Sequence, residues 1–177
     1  MDASAAETVP RAAARDPRDD GALTRIAAEV ETLLGRSGAS AALGFLNART
    51  RFRFTGVYHV EPPLLRNVHL YDRENPTLNL SGEASRLDET YCSITHRTGA
   101  PFATPDASND PGLRAYAARA SVLSYCGVPI GLDDGRPWGT LCHFDVRPRL
   151  LSSEELAVLA AVARVFGRLL SETRRPC

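Results

Sequence analysis

The sequence has no excess of either charge: Lys and Arg total 21, and so do Asp and Glu. Without a net field, nothing in the composition favours a nucleic-acid backbone, an anionic membrane or a highly charged substrate. Long apolar runs are also missing. Arg, Glu or Asp interrupts each of them, and no N-terminal run resembles a signal sequence or a membrane span, so the expected location is the cytoplasm. Aromatic residues are few, at 7%. Hydrophobic residues make up 44% of the 177, which suits one domain of ordinary size with a real core and gives no sign of a second. Residues 1–20 are rich in Ala, Asp and Arg without apolar periodicity and are expected to be a mobile tail, residues 21–172 the domain, and residues 173–177 a short closing tail.

The strongest local pattern lies in residues 121–149, where two apolar runs flank Asp133-Asp134-Gly135-Arg136. An Asp-Gly pair supplies the positive φ angles of a tight hairpin turn. With Asp134 and Gly135 as the turn, Gly127 opposes Cys142, Cys126 opposes His143 and Tyr125 opposes Phe144. Alternation then puts Leu123, Tyr125, Gly127, Thr140, Cys142 and Phe144 on one face, and Val122, Ser124, Cys126, Val128, Leu141 and His143 on the other. Both faces are largely uncharged, so both must be covered. Four cysteines could pair in principle, but Cys126 and Cys142 fall on opposite faces and Cys177 ends the chain, so free thiols are expected.

Around the hairpin, Leu23, Ile26, Val30 and Leu33 recur at helical spacing as a narrow seam, which predicts a helix suited to a partner helix. Residues 35–40 break that pattern and residues 41–47 read as a second short helix. Phe52, Phe54, Gly56, Tyr58 and Val60 alternate as one face of a strand that ends at Pro62-Pro63, and residues 65–72 form its antiparallel partner. Residues 73–85 read as a loop, 88–98 as a short helix ended by Gly99, 101–105 as a short strand and 112–120 as another short helix. Ser152 and Glu155 form a capping box opening a long helix to about Glu172. Asp106 reads as a turn residue, and Arg147 and Arg149 as solvated. The order predicts an α+β fold.

Several segments, in order, resemble the GAF family of small-molecule sensory domains from about Ala41 to about Leu170. They are Thr50-Arg51-Phe52-Arg53-Phe54-Thr55-Gly56-Val57-Tyr58, Thr90-Tyr91-Cys92-Ser93, Gly99-Ala100-Pro101-Phe102, Pro105-Asp106-Ala107, Tyr125-Cys126-Gly127-Val128-Pro129 and Gly139-Thr140-Leu141-Cys142-His143-Phe144-Asp145. The resemblance implies a central antiparallel sheet with N- and C-terminal helices on one face and a pocket beneath loops and short helices on the other. It also implies a stand-alone sensory or regulatory module acting through dimer or partner contacts, and the seam at Leu23, Ile26, Val30 and Leu33, beside the closing helix, predicts a homodimer through a helical bundle. It names no cofactor, because members of the family bind very different ligands.

One enzymatic branch, the free methionine-(R)-sulfoxide reductases, implies a reactive cysteine, a substrate-binding glutamate and two aspartates. Anchored on Val128-Pro129-Ile130 and Gly139, these positions fall on Ala118, Tyr125, Cys142 and Phe144, and none matches. The same positions propose Tyr125, Cys142 and Phe144 as pocket residues, with Tyr91 and Cys92 from the covering helix. A phenol, a thiol and a phenyl ring would suit an uncharged, partly aromatic ligand, while their simple role as core filling stays open. Cys92, at the start of a short helix, would have a lowered thiol pKa if exposed, which leaves a small thiol-dependent redox enzyme as the alternative. Trp138-Gly139 and Cys142-His143 echo phytochromes one residue out of register. Cys126 and His143 fall short of a zinc site.

Overall fold

The computed structural model describes residues 17–173; residues 1–16 of the expected tail and Cys177 lie outside the described residues. Helix α1 (Pro17–Ala48) breaks at Gly38, whose φ of 82° and ψ of 177° only glycine adopts at little cost. The break divides it into two arms, and the second contains the helix expected over 41–47. Then follow β1 (Phe54–Glu61), β2 (Leu64–Asp72), β3 (Ala84–Arg86), α2 (Cys92–Thr98), β4 (Phe102–Thr104), β5 (Ser124–Gly131), β6 (Pro137–Asp145) and α3 (Ser153–Thr173). The strands form one antiparallel sheet in the order β3-β2-β1-β6-β5-β4, so β1, β6 and β5 hold its centre.

The central hairpin keeps the expected register: Tyr125 pairs with Phe144, Cys126 with His143 and Gly127 with Cys142. Its turn is wider than expected. Leu132 N–H donates to Arg136 O at 2.9 Å, and Gly135, at φ 82°, closes a turn spanning Asp133, Asp134 and Gly135. A register shift between Ile130 and Gly131 absorbs the extra residue, so the inner pairs are unaffected.

One face of the sheet is covered by α1 and α3. Val57, Cys126, Val128, Ile130 and Leu141 pack there against Val30, Leu43, Leu46, Val158, Leu159 and Val162. Each fully buried Val or Leu contributes about 1.5–3 kcal/mol. The seam of α1 goes into this core: Leu23 and Val30 are buried, and Ile26 and Leu33 pack against the same cluster. The helix thus finds its apolar partner within the chain, chiefly in α3.

Below that core runs a buried polar chain. Arg73 Nε donates to Asn47 Oδ1 at 2.9 Å, Asn47 Nδ2 donates to Thr55 Oγ1 at 2.9 Å, and Thr55 Oγ1 lies 2.7 Å from His143 Nδ1. Thr55 Oγ1 thus bridges the Asn47 amide and the His143 ring. The other ring nitrogen, Nε2, faces Glu155 Oε1 at 4.0 Å, and neither atom has a hydrogen-bond partner among the described residues. Glu155 N–H does donate to Ser152 Oγ at 3.1 Å, but the Glu155 carboxylate turns inward to Arg49, 3.3 Å away. The capping box is therefore half made.

Other expectations are corrected. The loop over 73–85 ends in β3, an edge strand paired with β2 that its exposed, polar sequence did not advertise. The helix expected over 112–120 is two 3-10 turns, Pro111–Leu113 and Ala117–Ala120, because Pro111 and Gly112 do not sustain an α-helix. Phe52 precedes β1 and stacks on His143 instead of joining the face of Phe54. Val122 precedes β5 and packs with the face of Tyr125. Arg149 is not simply solvated: its Nε donates to Asp145 Oδ2 at 2.7 Å.

Candidate functional site

The face of the sheet away from α1 and α3 carries the five residues expected to form the site. Its floor is a row of small residues across the three central strands, where Cys142 of β6 pairs with Gly56 of β1 on one side and Gly127 of β5 on the other. The missing side chains are replaced by neighbouring rings. A Cβ on Gly56 would lie 2.6 Å from Tyr58 Cε2, and one on Gly127 would lie 2.8 Å from Tyr125 Cε1. Each tyrosine therefore lies down over the glycine two residues away on its own strand, and the rings fill the row on both sides of Cys142.

Helix α2 closes the floor from above. Its first residue, Cys92, reaches the sheet, where Thr140 Oγ1 donates to Cys92 Sγ at 3.2 Å and the Tyr125 hydroxyl lies 3.4 Å from the same sulfur. Cys142 lies in the same buried cluster, and its thiol donates to Gly56 O at 3.8 Å. Tyr91, just before α2, packs edge-on against Tyr125 with ring centroids 5.6 Å apart and donates its hydroxyl to Val122 O at 3.2 Å. Phe102 and Tyr116 extend this aromatic wall. Phe144 sits at the other end, stacked on Phe54 with centroids 4.8 Å apart.

The sequence thus named residues that the fold brings together. Tyr91, Cys92, Tyr125 and Cys142 are buried against one another, and Phe144 borders them half-buried. In this state they fill the face as a packed core. Beside the floor, an open cleft of about 510 Å³ runs between the β1–β2 turn and α2, lined by Pro63, Leu87, Ser93, His96 and Tyr116 among others. Tyr116 belongs both to the cleft and to the aromatic wall.

The polar groups differ sharply in their ionisation. The neighbouring Cys142 thiol, with the hydroxyls of Thr140 and Tyr125, holds the Cys92 thiol below the ordinary range despite complete burial. Cys142, beside that sulfur in a dry site, is pushed well above it. Burial likewise pushes Tyr125 well up and Tyr91 up to about 12. The expected cause at Cys92, an exposed helix terminus, does not apply: the thiol is buried, and side-chain hydrogen bonds dominate. On the opposite face, burial raises Cys126 and keeps it a neutral thiol. Cys142 and His143 point to opposite faces, and Trp138 stacks on His59 with centroids 4.6 Å apart, far in register from the floor. Among the described residues no group of three or more His, Cys, Asp or Glu could hold a metal ion.

Four contributors to this site were not named from the sequence: Gly56, Tyr58, Gly127 and Thr140. Strand alternation had placed each on a face, and the signal was a glycine two residues from a tyrosine in both Gly56-Val57-Tyr58 and Tyr125-Cys126-Gly127.

A family model for the GAF domain matches residues 20–170. No curated protein matches the sequence. Among solved structures, the chain is similar to the type II free methionine-R-sulfoxide reductase from Thermoplasma acidophilum, with 19% identity and a TM-score of 0.61, over 83% of this chain and 96% of that one. It is also similar to the GAF domain of a phosphoenolpyruvate-protein phosphotransferase from Coxiella burnetii, with 13% identity and a TM-score of 0.65, over 86% and 94%. A far-red-absorbing domain with bound biliverdin IXα gives 17% identity and a TM-score of 0.68, over 87% and 99%. At such identities the likeness is one of fold.

Proposed function

The chain belongs to the GAF domain family, and from that premise we propose that it is a sensory or regulatory module that binds a small molecule on the sheet face opposite α1 and α3. Tyr91, Cys92, Tyr125, Cys142 and Phe144 are its contact residues in this reading. The observation that supports it is the row Gly56, Cys142 and Gly127, where two glycines leave the backbone bare and the rings of Tyr58 and Tyr125 take the place of their side chains. A flat, uncharged, partly aromatic ligand matches that floor: it would replace ring-on-backbone contacts and meet the tyrosine hydroxyls. The adjoining cleft gives such a ligand a route in.

Binding would have to move Tyr58 or Tyr125, and with them β1 or β5. Both strands carry the helical layer on their other face, so the output is assigned to the surface of α1 and α3, through a homodimer or a partner protein. Because the apolar seam of α1 is used inside the chain, that contact would be made by the outer faces of the helices. No helix of the described residues is long and apolar enough to cross a membrane.

Native mass spectrometry of freshly purified protein, with an absorption spectrum of the same sample, tests the reading. A retained or titratable small molecule whose binding is weakened by Tyr125→Glu with Cys142→Asp supports it. Unchanged binding in that variant refutes the assigned face. A mass that stays bare against a broad set of aromatic metabolites refutes ligand sensing. A monomer by light scattering, unchanged by dilution or ligand, removes the homodimer.

A second reading, a small thiol-dependent redox protein, is favoured by one observation: the Thr140 hydroxyl donates to the Cys92 sulfur at 3.2 Å and the Tyr125 hydroxyl lies 3.4 Å from it.

A further inference from the structure

Two thiols that approach from different elements are rare partners in a small buried core, and here both belong to the floor. Cys92 hangs from α2 and Cys142 rises from β6, and the two backbones come within 8 Å of each other. Thr140, two residues before Cys142 and on the same face, already touches the Cys92 sulfur at 3.2 Å. Cys142 lies in the same buried cluster as Cys92, and its thiol donates to the Gly56 carbonyl at 3.8 Å. Cys126, by contrast, is buried on the opposite face of the sheet and has no route to either.

We propose that Cys92 and Cys142 are a peroxide-oxidised dithiol pair, with Cys92 as the attacking sulfur and Cys142 as the resolving one. The inference rests on the part of the second reading that gives Cys92 its donors. It does not require a small-molecule ligand.

The assignment of roles follows from the hydrogen bonds. The Thr140 hydroxyl donates to the Cys92 sulfur and the Tyr125 hydroxyl lies against it, whereas the Cys142 thiol donates to the Gly56 carbonyl, so the negative charge belongs on Cys92 while Cys142 keeps its proton. In the first step the Cys92 thiolate attacks one oxygen of a hydroperoxide and the O–O bond breaks. That oxygen stays on sulfur as a sulfenic acid, and the other leaves as an alkoxide or hydroxide, which takes up the proton released when Cys92 ionised. In the second step the Cys142 sulfur attacks the sulfenic sulfur, the S–S bond forms, and water leaves with the sulfenic oxygen and the Cys142 proton. Two thiols lose two electrons, and the peroxide becomes an alcohol, or water, plus water. An external low-molecular-weight thiol restores the pair by exchange.

Hydrogen peroxide is small and uncharged, so a buried sulfur next to an open cleft is within its reach. The covalent link would tie α2 to β6 across the floor and fix the row that the tyrosine rings cover. Oxidation and ligand occupancy would then exclude each other.

The test is non-reducing peptide mapping of the full chain after treatment with hydrogen peroxide. The expected product is a monomer lighter by two hydrogens, with the Cys92 peptide joined to the Cys142 peptide and Cys126 still reactive after unfolding. Cys142→Ser is expected to stop at a Cys92 sulfenic acid that dimedone traps, and Cys126→Ser to leave the crosslink intact. The proposal is overturned if the crosslink runs to Cys126 or Cys177, if dimedone labels Cys142 in place of Cys92, or if peroxide consumes no thiol in the folded wild type at a dose that oxidises the unfolded chain. The wild-type map needs no variant to fold. A protein that forms the crosslink yet takes up no ligand keeps this inference and loses the sensory reading, and the reverse result separates them the other way.

Discussion

His143 offers a direct measure of how far the helix-covered face excludes water. It is fully buried, and desolvation lowers its pKa to about 3 from the ordinary 6.5. Its neighbour Glu155 does not rescue the charged form, because Arg49 already neutralises that carboxylate from 3.3 Å. The unfolded chain thus binds a proton at His143 below pH 6.5 that the folded chain refuses until about pH 3. Stability from this group is present above pH 6.5 and is lost as pH falls through that window, at about 1.4 kcal/mol per pH unit and roughly 4–5 kcal/mol in all. That is a large share of the roughly 5–15 kcal/mol that holds a typical domain. Glu155 works in the opposite sense. Burial raises its pKa, so its contribution is present at low pH and is lost as pH rises through the folded value. Comparing wild type with His143→Gln removes that background, since Glu155 is common to both. Urea unfolding at pH 7, 6, 5 and 4 should show the wild type losing ground to the variant by about 1.4 kcal/mol for each unit below 6. Parallel curves would mean that His143 protonates in place, and that water reaches the ring.

Other outcomes follow from the same contacts. In Gly127→Ala the new methyl group meets the Tyr125 ring, so Tyr125 must leave the floor; a cost of about 1–3 kcal/mol and an altered tyrosine near-ultraviolet dichroism are expected. An unaltered spectrum would show that the ring does not rest on Gly127. Gly167→Ala drives a methyl group of α3 into the Gly131 carbonyl oxygen, which is backbone and cannot swing aside, so chemical unfolding should again show about 1–3 kcal/mol lost, without any change in the tyrosine spectrum. Arg53→Ala strands Asp72, which Arg53 now grips with two bonds of 2.8 Å, and a loss of about 1–3 kcal/mol by urea denaturation is expected. Equal stability of that variant would mean that water replaces the guanidinium freely.

The sequence carried the central hairpin well, because a period of two leaves little freedom once an Asp-Gly turn and two uncharged faces are given. Tyr125, Cys142 and Phe144 were placed on one face by that count, and they lie there. The position of α2 was beyond such a count. Whether Cys92 reaches Thr140 depends on the path of the connection from β2 through β3, and residues 73–83 carry no pattern that fixes it. The buried polar chain was hidden for a related reason. Asn47, Thr55, His143 and Glu155 come from α1, β1, β6 and α3 and meet only through packing. Glu155 looked like half of a capping box because its local spacing was right, and tertiary contact with Arg49 and His143 overrode it. The seam of α1 pointed to a partner helix correctly, but an apolar stripe does not say whose helix it will meet.

The glycine row has a consequence for how this surface can change. Space beside Cys142 is held open by the backbone itself, and what now fills it hangs on two side chains, each turning on a pair of torsions. Emptying that space calls for no refolding, no broken strand and no lost ladder hydrogen bond. It calls for two rings to rotate, as shutters do, and for the strands that carry them to shift with them.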